Sequence, residues 1–299
     1  MTGPSPNLSH EQRRSFETNG YLRIPRTLPA ECVERLVNAT LRLRREDEGT
    51  QTTAVKSQTG DWRSRFHGPS TTQQEQCDQH RWQARNVVVR DRVFLDLIDH
   101  PTTLNAVAEL LGDNIFLMGS HLMVRERTPM SLDDFSRFQL DWHRDLGTSA
   151  LEMTEPHPRI SVRVAFWLTE LSARGQGAMQ VVPGSHRLTG GLAFDSATNQ
   201  PYGAIEIHAK PGDALLFDQR LWHAAAPNLS DRPRVCLFFA YGYRWLRPDD
   251  YREMPAELLG QVSPVRQQLL GATVSECGYY LPTAADVPLR AWLASHLRQ

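Results

Sequence analysis

Trp142-His143-Arg144-Asp145 sets one imidazole and one carboxylate two residues apart. On an extended backbone successive side chains alternate faces, so His143 and Asp145 can enter one cavity while Arg144 points away. Such a pair supplies two of the three ligands in a set of two histidines and one carboxylate. That set suits Fe(II) and leaves coordination positions open for substrate and oxygen. Taken alone the pair is weak, because 11 histidines and 18 aspartates in 299 residues give about 0.7 such spacings by chance. For the pair alone a hydrogen-bonded histidine near a strand end is the better reading, so the weight falls on residues downstream.

His223, in Leu221-Trp222-His223-Ala224, is the candidate third ligand. Arg234 follows after Ala224 to Pro233, where Pro227-Asn228 and Asp231-Arg232-Pro233 are loop chemistry. The flanking segments are expected to pair antiparallel and so to bring His223 and Arg234 together. An arginine near an iron site suits a chelating 2-oxo diacid, because a guanidinium can fork the distant carboxylate and restore the charge balance. Three protein ligands and two from the 2-oxo acid leave one octahedral position for O2. Other chemistry-bearing residues have plainer readings. His186, in Pro-Gly-Ser-His, is expected to be a turn histidine that holds the fold. His121 and His157 carry weaker signals still, and Trp142 and Trp222 are expected to pack and exclude water.

The elements that must position these residues are short and mostly extended. Ile160–Leu168 alternates, with Val162, Val164, Phe166 and Leu168 on one face and Ser161, Arg163, Ala165 and Trp167 on the other. Tyr21–Ile24, Ile115–Arg125, Ala178–Val182, Ile205–Ala209, Ala214–Asp218, Leu221–Ala225 and Val235–Tyr243 also read as strands, punctuated by glycine and proline turns. Helices come first: one capped by Ser9-x-x-Gln12, one starting at Leu28-Pro29-Ala30, and one over Arg90–Leu111, broken at His100-Pro101. The expected fold is mainly β with flanking helices, an antiparallel double sheet of the jelly-roll, cupin-like double-stranded β-helix type. A single domain is expected, with a helical part at 9–111, a jelly-roll core at about 115–245 and a C-terminal extension at 246–299. Glu46–Gln83 lacks periodicity but carries Trp62, Phe66 and Trp82, and it reads as a lid; Gly147–Pro158 is a second such stretch.

Composition narrows the partners. A formal charge of -1 gives no bulk attraction to nucleic acid or anionic membrane, so small molecules are the expected partners. Cys32, Cys77, Cys236 and Cys277 are widely spaced with no C-x-x-C pair, which fits a reducing, cytoplasmic setting rather than a disulfide framework. Met1 to His10 is polar, and no apolar span approaches membrane length.

With these motifs together, the chain resembles the phytanoyl-CoA hydroxylase family of Fe(II)/2-oxoglutarate-dependent oxygenases. The likeness covers most of the chain. It runs from Leu8-Ser9-x-Glu11-Gln12 to Asn19-Gly20-Tyr21, then through Trp142-His143-Arg144-Asp145 and Gly177 to Pro183-Gly184-Ser185-His186-Arg187. It ends with Pro211-Gly212-Asp213, His223, Pro227-Asn228 and Arg234. It implies iron on His143, Asp145 and His223, the far carboxylate of 2-oxoglutarate on Arg234, and Met123 lining the cosubstrate pocket. Two features depart from the family pattern: Ala225 stands where many members have a hydroxyl residue, and Trp167 falls slightly later than the usual tryptophan. Related halogenases replace the carboxylate ligand by a small residue, so Asp145 argues against halogenation.

The implied activity is oxidation of a small-molecule metabolite coupled to conversion of 2-oxoglutarate to succinate and CO2. Hydroxylation is the default, with desaturation, ring closure or epimerisation sharing its first step. The lid aromatics suit a medium to large, partly apolar substrate, such as a secondary-metabolism intermediate. Two rival readings are a jelly-roll hydrolase or isomerase on another divalent ion, and a non-catalytic binding module. The intact ligand set disfavours the second.

Overall fold

The alternation over residues 161–167 divides the interior in two. Val162, Val164 and Phe166 enter one apolar cluster, and Ala165 and Trp167 enter another on the opposite face. A strand buried on both faces is a central one, and the rest of the fold is laid on either side of it.

The computed structural model describes residues 7–49, 80–147 and 149–296. Its strands are β1 (Tyr21–Ile24), β2 (Arg81–Arg85), β3 (Ile115–Arg125), β4 (Ser161–Trp167), β5 (Met179–Val181), β6 (Phe194–Asp195), β7 (Gln200–Pro201), β8 (Ile205–Ile207), β9 (Ala214–Asp218), β10 (His223–Ala225) and β11 (Arg234–Tyr243). Its helices are α1 (His10–Asn19), α2 (Ala30–Gly49), α3 (Arg92–Leu95), α4 (Pro101–Leu111), α5 (Leu132–Arg137), α6 (Ser149–Glu152), α7 (Ala256–Leu259), α8 (Pro264–Leu269) and α9 (Pro288–His296).

Six strands form a large sheet in the order β1-β9-β4-β11-β3-β2, and three form a small sheet in the order β10-β5-β8, every pairing antiparallel. Between them lies a core of Trp167, Met179, Val181, Ile207, Phe217 and Leu221. On its far face the large sheet packs helices, through Leu36, Phe94, Ile98, Leu104, Leu269 and Leu289. Each such side chain contributes about 1.5–3 kcal/mol by leaving water. The architecture is therefore a jelly roll of two sheets with helices on one side.

Local chemistry fixes the ends. Ser9 Oγ accepts from Gln12 N at 3.1 Å and Gln12 Oε1 accepts from Ser9 N at 2.9 Å, closing the capping box. Gly20 ends α1 with φ 81°, and a Cβ there would lie 2.5 Å from His186 Nδ1. The residue must therefore be small as well as left-handed.

Three features differ from the sequence reading. Arg81–Arg85, drawn from the end of the expected lid and its flank, is the edge strand β2, with Trp82 packed against the helical core. Trp62 and Phe66, with most of that stretch, lie outside the described residues. The segments carrying His223 and Arg234 do not pair with each other: β10 pairs β5 in the small sheet, whereas β11 pairs β3 and β4 in the large one. The loop between them crosses from sheet to sheet. It is pinned by Ala226 N donating to Ala178 O at 3.2 Å and by Asn228 Nδ2 donating to Arg125 O at 3.1 Å. Among the described residues no helix is long and apolar enough to cross a membrane.

Candidate metal and cosubstrate site

His143 and Asp145 enter the mouth of the sandwich on extended backbone that borders β10. His143 N donates to His223 O and His223 N to His143 O, both at 2.9 Å, forming an isolated antiparallel bridge. Asp145 N donates to Gln219 O at 2.8 Å. The residue between them turns outward, as alternation requires: Arg144 donates to Glu155 at 2.8 Å and stacks over Trp222, 5.0 Å from its ring centre.

Both imidazoles use Nδ1 against a backbone carbonyl two residues earlier. His143 contacts Asp141 O at 2.8 Å and His223 contacts Leu221 O at 2.9 Å. A neutral ring that donates from Nδ1 keeps its lone pair on Nε2, and these carbonyls fix the ring orientations. Nε2 of His143 lies 3.8 Å from Asp145 Oδ1, and Nε2 of His223 lies 3.9 Å from Asp145 Oδ2. All three ligand atoms fall within 4.8 Å of one another.

Burial, with His143 beside it, pushes the His223 pKa down to about 4, so the ring is neutral and free to bind a cation at neutral pH. Burial opposes ionisation of Asp145, but Arg163 and the two imidazoles outweigh it and hold the carboxyl well below its usual range. Two imidazole nitrogens and one hard anionic oxygen fit Fe(II).

Arg234 begins β11 and is 2% exposed. Its guanidinium sits 4.9 Å above the Trp167 ring centre, and Nη1 approaches Met123 Sδ at 3.5 Å. Among the described residues no carboxylate pairs with it, and burial pulls its pKa below the ordinary arginine value. Its Nε and the Trp167 Nε1 are both buried without a partner among the described residues. A buried charge left unpaired costs several kcal/mol. These donors therefore fit an anion such as a carboxylate, and Met123 borders the same guanidinium. Arg234 and the triad face the same inter-sheet interior. Trp167 belongs to the core that contains Phe217, and the Phe217 ring stands 5.1 Å from that of His223.

Residues 16–236 match the phytanoyl-CoA dioxygenase (PhyH) family. The chain belongs to this family.

Similar proteins include dioxygenase af480 of Aspergillus fumigatus, 26% identical over 63% of this chain and 57% of that one. Ectoine dioxygenase of Nocardia farcinica is 24% identical over 49% and 54%. The matches thus span little more than half the length of these relatives. Among solved structures, HygX from Streptomyces hygroscopicus with nickel and 2-oxoglutarate bound aligns with a TM-score of 0.58 at 20% identity, covering 85% of this chain and 94% of that one. The non-heme alpha ketoglutarate dependent carbocyclase SnoK from nogalamycin biosynthesis aligns with a TM-score of 0.58 at 19% identity, over 88% and 94%. These likenesses show the fold.

In this PhyH chain the remaining motif residues support the site rather than enter it. Ser185 Oγ accepts from Trp222 N at 2.9 Å, so the Pro-Gly-Ser-His turn holds the residue before His223. His186 is 4% exposed and contacts Glu17 O at 3.1 Å, a fold-holding histidine as its turn suggests. His157 is buried and His121 stacks on Phe238 at 4.8 Å, both outside the triad. Trp142 is buried in a satellite cluster with Phe135, Phe138 and Leu140, and Trp222 packs against that cluster.

Two residues that the motif reading passed over matter here. Gln219 receives Asp145 through its carbonyl, while its side chain accepts from Ser161 N at 2.9 Å and donates to Pro158 O at 3.0 Å. Arg163 reaches Asp145, with Nε 3.3 Å from Oδ2. The available signal was an arginine inside an otherwise uncharged central strand.

Proposed function

We propose that this PhyH-family chain is an Fe(II)- and 2-oxoglutarate-dependent oxygenase of a small-molecule metabolite. The observation that carries the proposal is a buried guanidinium with no carboxylate partner among the described residues, stacked on Trp167 of the inter-sheet core whose Phe217 stands against His223 of a set of two histidines and one carboxylate. His143, Asp145 and His223 hold the metal. Arg234 takes the far carboxylate of the cosubstrate, with Trp167 Nε1 as a second donor where Ala225 offers none. Iron, when bound with 2-oxoglutarate and O2, supplies the oxidising power: C–H becomes C–OH while 2-oxoglutarate yields succinate and CO2, one oxygen atom entering each organic product.

The chain's own contribution is orientation and exclusion of water. The His143–His223 backbone bridge and the two Nδ1 contacts set the ligand directions before any metal arrives. Trp142, next to His143, and Ala224, next to His223, belong to one apolar cluster, which keeps water from the chain on either side of the ligands.

Hydroxylation is our first reading of the outcome. Ring closure and epimerisation stand behind it, because structural neighbours include the carbocyclase SnoK and the epimerase SnoN. A small-molecule substrate is favoured by the HygX structure with hygromycin B bound and by SnoK's origin in nogalamycin biosynthesis. The PhyH family membership favours this reading over a hydrolase or isomerase on another divalent ion.

The test is anaerobic loading with Fe(II) and 2-oxoglutarate, followed by an aerobic metabolite screen that follows succinate. Succinate should form only with both O2 and 2-oxoglutarate present and should fall to background in His143→Ala, Asp145→Ala and His223→Ala. Turnover of any substrate without O2 would support the hydrolase or isomerase instead.

A further inference from the structure

Arg163 is the only charged residue of β4. Its neighbours across the sheet are Ala240 and Phe217, so no solvated face accounts for it. Its side chain is 16% exposed and lies between two carboxylates: Nε is 3.3 Å from Asp145 Oδ2, and Nη1 donates to Asp249 Oδ2 at 3.1 Å. Asp249 is fixed by its own backbone, its N–H donating to Met118 O at 2.7 Å. The next residue, Asp250, accepts from Ser120 N at 2.8 Å and Asn86 N at 2.9 Å. A chain of contacts thus runs from the segment after β11, through a guanidinium, to a triad member.

We propose that Arg163 is a positioning residue for the metal site and that Asp249 holds and neutralises it. This rests on the iron reading above. A carboxylate ligand can rotate about its Cβ–Cγ bond and offer either oxygen or both. Arg163 Nε pairs by charge with Oδ2 at 3.3 Å, without a hydrogen bond, while Oδ1 lies 3.8 Å from His143 Nε2. A bare guanidinium at this distance would also repel a divalent cation, and Asp249 cancels that charge. Lysine is a point charge and cannot span two carboxylates in a fixed fork.

Co(II) is the probe, titrated anaerobically into the whole protein and followed by its d–d absorption. Arg163→Gln should weaken Co(II) binding about 10- to 100-fold and alter the d–d spectrum. Arg163→Lys should recover part of the loss. Asp249→Asn should weaken binding less, and the double variant Arg163→Gln/Asp249→Asn should be no weaker than Arg163→Gln alone.

Wild-type affinity and spectrum in Arg163→Gln, even with a lowered Tm, would make Arg163 merely structural and overturn the inference. Should that variant fail to fold, Asp249→Asn decides: its carboxylate is 37% exposed, and an unchanged Kd and spectrum there also overturn it. Metal binding that is normal in wild type and in these variants sinks only this inference. A wild-type protein that binds no metal sinks the oxygenase reading with it.

Discussion

Arg234 carries its charge into a buried place, and the energetic argument for a cosubstrate begins there. Burial, the dominant influence on it, disfavours the charged form, so an anion that pairs with the guanidinium recovers what burial cost. Arg234→Ala should weaken 2-oxoglutarate by about 2–5 kcal/mol while leaving Fe(II) affinity near wild type. Parallel anaerobic titrations check this, and equal losses for both ligands would make the residue structural. His223 answers to pH. Its folded pKa of about 4 lies below the ordinary 6.5, so between those values the unfolded chain binds more protons than the folded one. Stability of the metal-free protein is then fully present above about pH 6.5 and falls as the pH drops toward 4. Its unfolding free energy should fall by about 2–3 kcal/mol less in His223→Gln than in wild type between pH 7 and pH 4.5. His100, His121 and His186, depressed in the same direction, remain in both proteins and cancel. Identical urea-derived losses in the two would contradict the assignment.

At the scale of elements, three residues make β10, too few to hold position alone. Its place comes from pairing with β5, from the His143 bridge and from Ser185 Oγ at the Trp222 N–H. Ser185→Ala leaves that N–H without its partner beside a ligand, at a cost of about 1–3 kcal/mol. A lower Tm and several-fold weaker Co(II) binding are expected, measured by thermal melts and titration; loss of Tm with unchanged affinity would show that β10 keeps its position without this bond. Strand extents were legible because turn residues punctuate them: Ile115–Arg125 and Ala214–Asp218 appear with the bounds read from sequence. Sheet membership was not. The loop chemistry of Ala224–Pro233 marks a break between strands but does not say whether the chain hairpins back or crosses to the other sheet.

Across the whole molecule the two faces of β4 separate the duties of stability and chemistry. Helices cover one face of the large sheet, including α8 and α9 of the C-terminal part through Leu269 and Leu289, while the other face looks onto the site. The triad was readable because His143 and Asp145 are neighbours in sequence and extended backbone fixes their relation. Arg163 and Asp249 stand far apart in the chain, and their contact exists only once the sheet and the segment after β11 are assembled. The most direct test of the central claim, that metal and 2-oxoglutarate bind side by side between the two sheets, is an anaerobic visible spectrum of the protein with Fe(II) and 2-oxoglutarate added singly and together. The expected result is a charge-transfer band that needs both, disappears in His223→Ala, and in Arg234→Ala requires far more 2-oxoglutarate to appear. A wild-type spectrum in which Fe(II) binds but adding 2-oxoglutarate changes nothing would contradict it.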